Sequence, residues 1–230
     1  MTQSIARSIV LIDDHPIVLE GLSNLLKSVP DYRVLGTASN EHDGFNLVRE
    51  FRPDVVIVDL VLGDTFALKL IERIAAEYAE TRVICMSMHS DAAYAEPVAL
   101  AGALGYINKA QVGRTILDVI ASILNGKPHF PPEVQLNLLR RARGLRSGHS
   151  PLAALSPREV EVLHLIGQGM TKQQIGERIG RSPNTVETHR SNIKRKLELQ
   201  SNAELIRFAT LNMPGLSAAI LSAPPSDAAD

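Results

Sequence analysis

The fold that the sequence predicts is a five-stranded, doubly wound parallel sheet followed by an all-α unit of four helices. Strand-like apolar runs alternate with helical patterns five times between residues 8 and 126, as in a parallel sheet with helices on both faces. From Leu155 to Met213 the pattern is entirely helical. A chain of 230 residues is long enough for two domains of ordinary size.

The elements of the first domain follow from its apolar patterns. Short apolar runs are typical of buried parallel strands, and they predict the strands Ile9–Asp13, Arg33–Ala38, Val55–Asp59, Arg82–Met86 and Leu104–Ile107. Helical spacing of apolar residues predicts helices over 16–28, 41–51, 65–77, 91–101 and 111–125. In such a sheet the ligand site lies at the carboxyl ends of the strands.

The second half begins with a linker. Pro131–Arg143 is predicted to be a short helix, and residues 144–154 have the Gly, Ser and Pro content of a flexible joint. Ser156 and Glu159 form a capping-box pattern around Pro157 at the start of the next helix. We therefore divide the chain into a first domain over 7–126, a linker with a short helix over 127–152, a helical domain over 153–213 and a disordered tail over 214–230.

Charge is divided unevenly between the two halves. Residues 1–130 carry 11 basic and 16 acidic residues, a net charge of −5, whereas residues 140–210 carry 13 basic residues against six glutamates, a net charge of +7. This asymmetry suggests a metal or phosphate site followed by a module that binds a polyanion.

Composition also excludes several classes of protein. No stretch approaches the roughly 18 apolar residues of a membrane span, and the N-terminus shows no secretory signal. The single cysteine, Cys85, cannot form an internal disulfide and lies in an apolar run, where we expect a core thiol. We therefore expect a cytoplasmic protein that does not associate with a membrane.

The stretch "IVLIDDHP" (9–16) places two adjacent carboxylates, Asp13 and Asp14, at the end of a buried strand. They form either a solvated turn, with Asp14 as the N-cap of the following helix, or part of a site with a counter-charge. Asp59, Ser87 and Lys109 also fall at carboxyl ends of strands. Carboxylates suit Mg²⁺, and a lysine and a hydroxyl suit a phosphoryl group. A carboxylate can itself act as a nucleophile that forms an aspartyl phosphate.

Four motifs together resemble a response-regulator receiver domain with a flavodoxin-like fold: "DDHP" (13–16), "VIVDLVL" (56–62), "CMSMH" (85–89) and "GYINK" (105–109). The resemblance covers about residues 7–126. It implies that Asp59 is the phosphoacceptor and that Lys109 pairs with the phosphoryl group. It also implies that Ser87 and Tyr106 form the switch, and that Mg²⁺ is held by Asp13, Asp14, Asp59 and the backbone carbonyl of Val61.

One departure from the family pattern concerns the loop after the phosphoacceptor. The family usually has a proline soon after this strand, whereas this chain has Gly63–Asp64. Glycine can make the same turn, so we expect the phosphoryl chemistry to survive and the rigidity of the loop to differ.

His15, His89 and His189 do not have the spacing of zinc ligands, and we expect structural roles for all three.

The stretch "LSPREVEVLHLIGQGMTKQQIGERIGRSPNTVETHRSNIKRKL" (155–197) resembles a LuxR-type helix-turn-helix domain over roughly residues 153–213. In its third helix Val186, His189, Ile193 and Leu197 recur at helical spacing and are predicted to be buried. Lys196 is assigned to phosphate contacts. The remaining predicted DNA-binding residues are Lys172, Ser182, Asn184, Thr185, Glu187, Thr188, Arg190, Ser191, Lys194 and Arg195.

Glu187 stands out on this surface, because the family often has lysine there. A carboxylate cannot bind a phosphate, but it can accept a hydrogen bond from cytosine N4 in the major groove. It could equally pair with Lys194 or Arg190 on its own helix. Both interpretations stay open at this point.

Together the halves resemble a NarL/FixJ-class two-component response regulator. The resemblance implies that a histidine kinase phosphorylates Asp59, with Mg²⁺ as cofactor, and that phosphorylation controls homodimerisation and binding to a two-fold DNA operator. It implies no enzyme activity beyond self-phosphorylation and self-dephosphorylation. Two alternatives are a phosphatase or phosphotransferase that uses Asp59, and a transcription factor whose first domain binds a small molecule.

Overall fold

The computed structural model describes residues 6–63, 65–88, 92–144 and 151–213, with the side chains of Ala92, Ala93 and Arg114 left out. The chain divides into two compact units, residues 1–153 and 154–230. The predicted tail over 214–230 and most of the predicted joint, residues 145–150, lie outside the described residues. Within the described part, no helix is long and apolar enough to cross a membrane.

The first unit is built on a parallel sheet of five strands: β1 (Arg7–Ile12), β2 (Tyr32–Ala38), β3 (Val55–Asp59), β6 (Arg82–Ser87) and β7 (Gly105–Asn108). Their order across the sheet is β2-β1-β3-β6-β7. The chain reverses its direction of winding between β1 and β3, which makes their carboxyl ends the topological switch point of the sheet. The predicted fold class is therefore confirmed.

The central strands are buried on both faces. Every residue of β3 is buried, and Ile9–Ile12 of β1 have no exposed surface. Apolar runs of this kind are expected in a sheet covered on both sides by helices. Five helices connect or follow the strands: α1 (Pro16–Lys27), α2 (Glu41–Phe51), α3 (Leu68–Glu77), α4 (Ala92–Leu100) and α5 (Val112–Leu124).

A short hairpin follows β3, and the sequence did not predict it. Strand β4 (Val61–Leu62) pairs antiparallel with β5 (Thr65–Phe66), and Gly63 between them has a φ of 60°. The predicted helix over 65–77 is consequently wrong at its start, because α3 begins only at Leu68. Two-residue strands leave no periodicity to read, and glycine readily takes the left-handed conformation that this turn needs.

A further segment of the first unit covers the edge of the sheet. Tyr106 N donates to His129 O and His129 N donates to Leu104 O, both at 2.8 Å, so the chain around residue 129 runs alongside β7. Helix α6 (Pro132–Ala142) then packs against α4. The stretch predicted as a linker helix is therefore helical, and it contacts the sheet unit along 128–142.

The second unit contains the four predicted helices: α7 (Pro157–Gly167), α8 (Lys172–Arg178), α9 (Pro183–Lys196) and α10 (Asn202–Asn212). The capping box of Ser156 and Glu159 is present, and Ser182 caps α9. Every residue from Glu159 to Ile166 is buried, so α7 is the central helix of this unit.

The glycine at position 44 is expected to set how closely α2 approaches β1. A Cβ atom at Gly44 would lie 2.6 Å from Cδ1 of Ile12, which is fully buried directly before Asp13. We expect Gly44→Ala to lower the free energy of unfolding by about 1–3 kcal/mol, as overpacking does. At Gly21 of α1 the added methyl meets nothing within 4 Å, so Gly21→Ala should raise stability by about 0.5–1 kcal/mol. Urea unfolding measures both; equal stabilities would contradict this account.

Candidate functional site

The predicted site residues meet at the carboxyl edge of the sheet. Asp13 follows β1, Asp59 ends β3 and Ser87 ends β6, and all three are buried. Lys109 follows β7 and reaches back to this edge, where its Nζ lies 2.6 Å from Asp59 Oδ2 and 2.7 Å from Asp13 Oδ2. The side chain of Lys109 is only 6% exposed, so the ammonium is a buried counter-charge shared by two carboxylates.

Burial and neighbouring charges shift the acid–base properties of this cluster. Burial raises the pKa of the Asp59 carboxyl to about 6, although the hydrogen bond from Lys109 opposes the shift. Burial acts to lower the pKa of Lys109, but its hydrogen bonds to Asp13 and Asp59 outweigh that effect, and the pKa is raised. Lys109 is therefore charged at neutral pH, while Asp59 titrates closer to neutrality than an exposed carboxyl does.

Asp14 does not cap α1, so that interpretation is wrong. The N-cap of α1 is His15, which makes no side-chain cap bond. Asp14 instead accepts a hydrogen bond from Gly63 N through Oδ2 at 2.9 Å, and Asp13 Oδ1 accepts one from His15 N at 2.9 Å. The Asp14 carboxylate thus ties the loop after β3 to the loop after β1.

The same edge of the sheet offers the ligands of a divalent cation. One ligand atom each from Asp13, Asp14, His15 and Asp59 lies within 4.8 Å of all the others. One buried oxygen, Asp14 Oδ1, accepts no hydrogen bond from the described residues, although His15 Nδ1 lies 2.7 Å away. Buried carboxylate oxygens are normally satisfied, so this oxygen fits a bound cation.

His15 was expected to have a structural role, and the structure brings it into this cluster. Sequence spacing did not reveal this, because the characteristic spacings of zinc ligands do not describe adjacent residues at the end of a strand. His89 lies outside the described residues. His189 is half-buried in α9.

The remaining predicted receiver residues are placed as follows. Tyr106 lies in β7 and is 4% exposed, and Ser87 at 1% exposure pairs in register with Asn108. The backbone N–H of Val61 binds the Asp59 carboxyl. The carbonyl of Val61 as a metal ligand stays a prediction.

In the second unit, α9 presents a polar surface. Val186 and Ile193 are buried as predicted, whereas His189 and Leu197 are only half-buried. Of the predicted DNA-binding residues, Lys172, Ser182, Asn184, Thr188, Ser191 and Arg195 are exposed, and Thr185, Glu187, Arg190 and Lys194 are half-buried.

Two lysines of α9 have protein partners. Lys196 Nζ lies 2.6 Å from Oε2 of Glu159, a buried carboxylate of α7, so it forms an ion pair in the DNA-free chain, and its contact to a DNA phosphate stays a prediction. Lys194 Nζ donates to Asn202 Oδ1 at 3.0 Å and thus joins α9 to α10. Within residues 151–213 Glu187 forms no ion pair, so its predicted pairing with Lys194 or Arg190 is not formed in the DNA-free chain.

Comparisons with known proteins agree with this geometry. The model of the response regulator receiver domain matches residues 9–121, and that of bacterial regulatory proteins of the luxR family matches residues 153–209. The chain is 33% identical to the transcriptional regulatory protein LiaR of Bacillus subtilis over 89% of this chain and 97% of LiaR. It is 34% identical to the transcriptional regulatory protein MctR of Rhizobium johnstonii, over 91% of this chain and 95% of MctR.

Solved structures show the same fold. A LuxR-family two-component response regulator from Aurantimonas is 30% identical, with a TM-score of 0.53 over 60% of this chain and 99% of that chain. RcsB of Salmonella enterica serovar Typhimurium, bound to promoter P1flhDC in the presence of the phosphomimetic BeF₃⁻, has a TM-score of 0.66 at 23% identity, over 89% of this chain and 98% of that chain.

The raised pKa of Asp59 predicts a pH-dependent cost of folding in the absence of divalent ions. When the pKa of a carboxyl is higher in the folded state than in the unfolded state, its protonation stabilises the fold. For Asp59 this stabilisation is complete below the unfolded pKa and is lost as the pH rises through about 6. At pH 7.5 in EDTA, we therefore expect Asp59→Asn to raise the free energy of unfolding by about 1–3 kcal/mol. The difference should shrink as pH falls from 7 towards 4.

Asp54 provides a control of opposite sign. Burial acts against the shift, but hydrogen bonds from Ser8 and Arg7 lower the pKa of Asp54, so its contribution to stability is present at neutral pH and lost on acidification. Asp54→Asn should therefore destabilise the protein at pH 7.5. Urea titrations between pH 7.5 and pH 4 measure the free energy of unfolding of both variants. If Asp59→Asn is less stable than the wild type at pH 7.5, burial of the ionised Asp59 carboxyl does not destabilise the fold.

Proposed function

The chain belongs to the response regulators that join a receiver domain to a LuxR-type helix-turn-helix domain, and on that premise we propose that phosphorylation of Asp59 controls its regulation of transcription. The observation that carries this proposal is the buried ammonium of Lys109 between Asp59 and Asp13, at the sheet edge where the cation ligands converge. We propose that a histidine kinase or a small phosphodonor supplies the phosphoryl group in the cytoplasm.

The chemistry rests on the two oxygens of Asp59. Lys109 holds Oδ2 at 2.6 Å, so Oδ1 is the oxygen that we propose as nucleophile towards phosphorus. As the bond from Oδ1 to phosphorus forms, the bond from phosphorus to the donor's histidine nitrogen or acyl oxygen breaks, and the dephosphorylated donor leaves. With a pKa of about 6, the carboxyl is mostly ionised at neutral pH, as a nucleophile must be. Asp13, Asp14 and Asp59 would hold Mg²⁺, which supplies positive charge to the phosphoryl oxygens. Lys109 adds a fixed positive charge beside them.

We propose no turnover of a separate substrate. Within the described residues the cluster offers a carboxylate nucleophile, cation ligands and a lysine, which suffice for transfer of a phosphoryl group to Asp59 and for its later hydrolysis. The two alternatives make different predictions. Sustained release of phosphate from a phosphate ester would favour an enzyme, and DNA binding that is indifferent to Asp59→Ala and to phosphodonors would favour a small-molecule sensor.

We propose that the signal leaves the site by two routes, one through packed side chains and one through the backbone of β7. Phosphorylation adds up to about two negative charges at Asp59, directly before the β4–β5 hairpin. Phe66 of that hairpin stacks on Tyr94 of α4 with ring centroids 5.9 Å apart. Tyr106 of the predicted switch bonds through its backbone to His129. Both routes reach the segment 128–142, which covers α4 and β7.

The contact between α4 and α6 contains a buried side chain with few polar partners. Glu96 of α4 is 1% exposed, and one of its oxygens receives only a 3.3 Å hydrogen bond from Asn137 of α6. Its other oxygen accepts no hydrogen bond from the described residues. A buried carboxylate with so little compensation is costly. We propose that phosphorylation releases this segment and so permits the basic domain to dimerise on a two-fold operator.

DNA recognition is assigned to α9. Its exposed face carries Thr188, Ser191 and Arg195, and a polar helix face of this kind fits a major groove. With no partner within its own helix, Glu187 is left with cytosine N4 as the proposed partner. The basic residues of this unit supply contacts to phosphates.

Phosphorylation should increase DNA affinity through Asp59 alone. We expect acetyl phosphate with Mg²⁺ to label Asp59 and to tighten binding to fragments selected from the source genome, as mobility shifts measure. Asp59→Asn should take no label and give no response. Each neutralised DNA phosphate should contribute about −0.9 to the log–log salt slope. A phosphate found unchanged elsewhere in Asp59→Asn, or a slope near zero, would defeat the proposal.

Release of the segment 128–142 can be followed by hydrogen exchange. We expect BeF₃⁻ with Mg²⁺ to accelerate amide exchange in α6, because the reordered switch weakens its docking on α4. Glu96→Gln removes a buried carboxyl group with one oxygen that accepts no hydrogen bond from the described residues, so α6 should dock more tightly, exchange more slowly and respond less to BeF₃⁻. Exposed Glu133 of the same region, changed to glutamine, is the control. Unaltered exchange in the wild type on addition of BeF₃⁻ would show that the signal takes another path.

A further inference from the structure

His15 is held against the carboxylate cluster by its neighbours in sequence. Pro16 restricts the preceding residue to extended conformations, and His15 has φ −99° and ψ 107°. Its backbone N–H is fixed on Asp13 Oδ1 at 2.9 Å. The imidazole Nδ1 consequently lies 2.7 Å from Asp14 Oδ1 and 3.2 Å from Asp13 Oδ1.

The geometry between His15 and Asp14 is not that of a hydrogen bond. Despite the 2.7 Å separation from Nδ1, Asp14 Oδ1 accepts no hydrogen bond from the described residues and is buried. The hydrogen bond that Nδ1 does make is the longer one, 3.2 Å, to Asp13 Oδ1, so the atoms of both carboxylates lie around the imidazole nitrogen. Around a cation with bonds of about 2.1 Å, neighbouring ligands lie roughly 3 Å apart and opposite ones roughly 4 Å apart. The ligand atoms of Asp13, Asp14, His15 and Asp59 all lie within 4.8 Å.

We propose that His15 Nδ1 is a ligand of the receiver's divalent cation, and that it makes the site prefer first-row transition ions such as Co²⁺ over Mg²⁺. This inference rests on the cation site of the proposed function and adds a nitrogen to its oxygen ligands. Mg²⁺ takes oxygen ligands almost exclusively, whereas imidazole favours transition ions. His15 therefore determines which divalent ion supports phosphorylation when several are present.

The ligand is tested directly with Mn²⁺ as a paramagnetic probe. Electron spin echo modulation of Mn²⁺ bound to the full-length protein should show coupling to an imidazole ¹⁴N, and His15→Gln should abolish it. His42→Gln is the control, because His42 is exposed on α2 and is not part of the cluster. Absence of nitrogen coupling in wild-type protein with Mn²⁺ bound would overturn the proposal.

The selectivity is tested by titration calorimetry with Co²⁺ and with Mg²⁺. His15→Gln should weaken Co²⁺ binding by about ten-fold or more, in the range found when a residue supporting a metal site is removed, while Mg²⁺ binding changes little. Equal losses for both ions would also overturn the proposal. If neither ion binds the wild type, the cation site of the proposed function is refuted. If both ions bind the wild type and Asp13→Asn abolishes binding, that cation site is supported, and the effect of His15→Gln then tests the role of His15 alone.

Discussion

The ammonium of Lys109 makes the acidic edge of the sheet possible. Asp13 and Asp59 are buried at adjacent strand ends, where two carboxylates would repel each other without a counter-charge. Lys109 bridges them at 2.7 and 2.6 Å, and it comes from the strand end on the far side of β6. One ammonium, through its two ion pairs, thereby couples β1, β3 and β7. A change of charge at Asp59 necessarily alters the forces on all three strand ends.

Most of this site could be predicted because its residues lie at the ends of apolar runs. The strands β1, β3 and β6 can be recognised in the sequence as continuous apolar runs, and parallel pairing brings their carboxyl ends together. The β4–β5 hairpin could not be predicted from two-residue strands. The partners of Lys194 and Lys196 were missed for another reason: Asn202 and Glu159 are brought near α9 only by the packing of four helices, and a surface lysine has no sequence signature for such a partner.

The helix-turn-helix unit shows how those missed contacts define the recognition surface. Glu159 both closes the capping box of α7 and binds Lys196, so the start of α7 is tied to the end of α9. Lys194 ties α9 to the first turn of α10. These two lysines tie α9 to its neighbouring helices. The polar surface of α9 that we propose for DNA recognition is therefore exposed on a helix that is held in place by other contacts.

Gly63 links the departure from the family pattern to the geometry of the cation ligands. Its φ of 60° is a conformation that proline, fixed near −65°, cannot adopt, and its N–H, which proline lacks, holds Asp14 Oδ2 at 2.9 Å. With Oδ2 engaged there, Asp14 turns Oδ1 towards His15. The glycine that replaces the usual proline therefore does more than permit a turn. It orients one carboxylate of the cluster, and through the hydrogen bond to that carboxylate the loop after β3 is joined to the loop after β1.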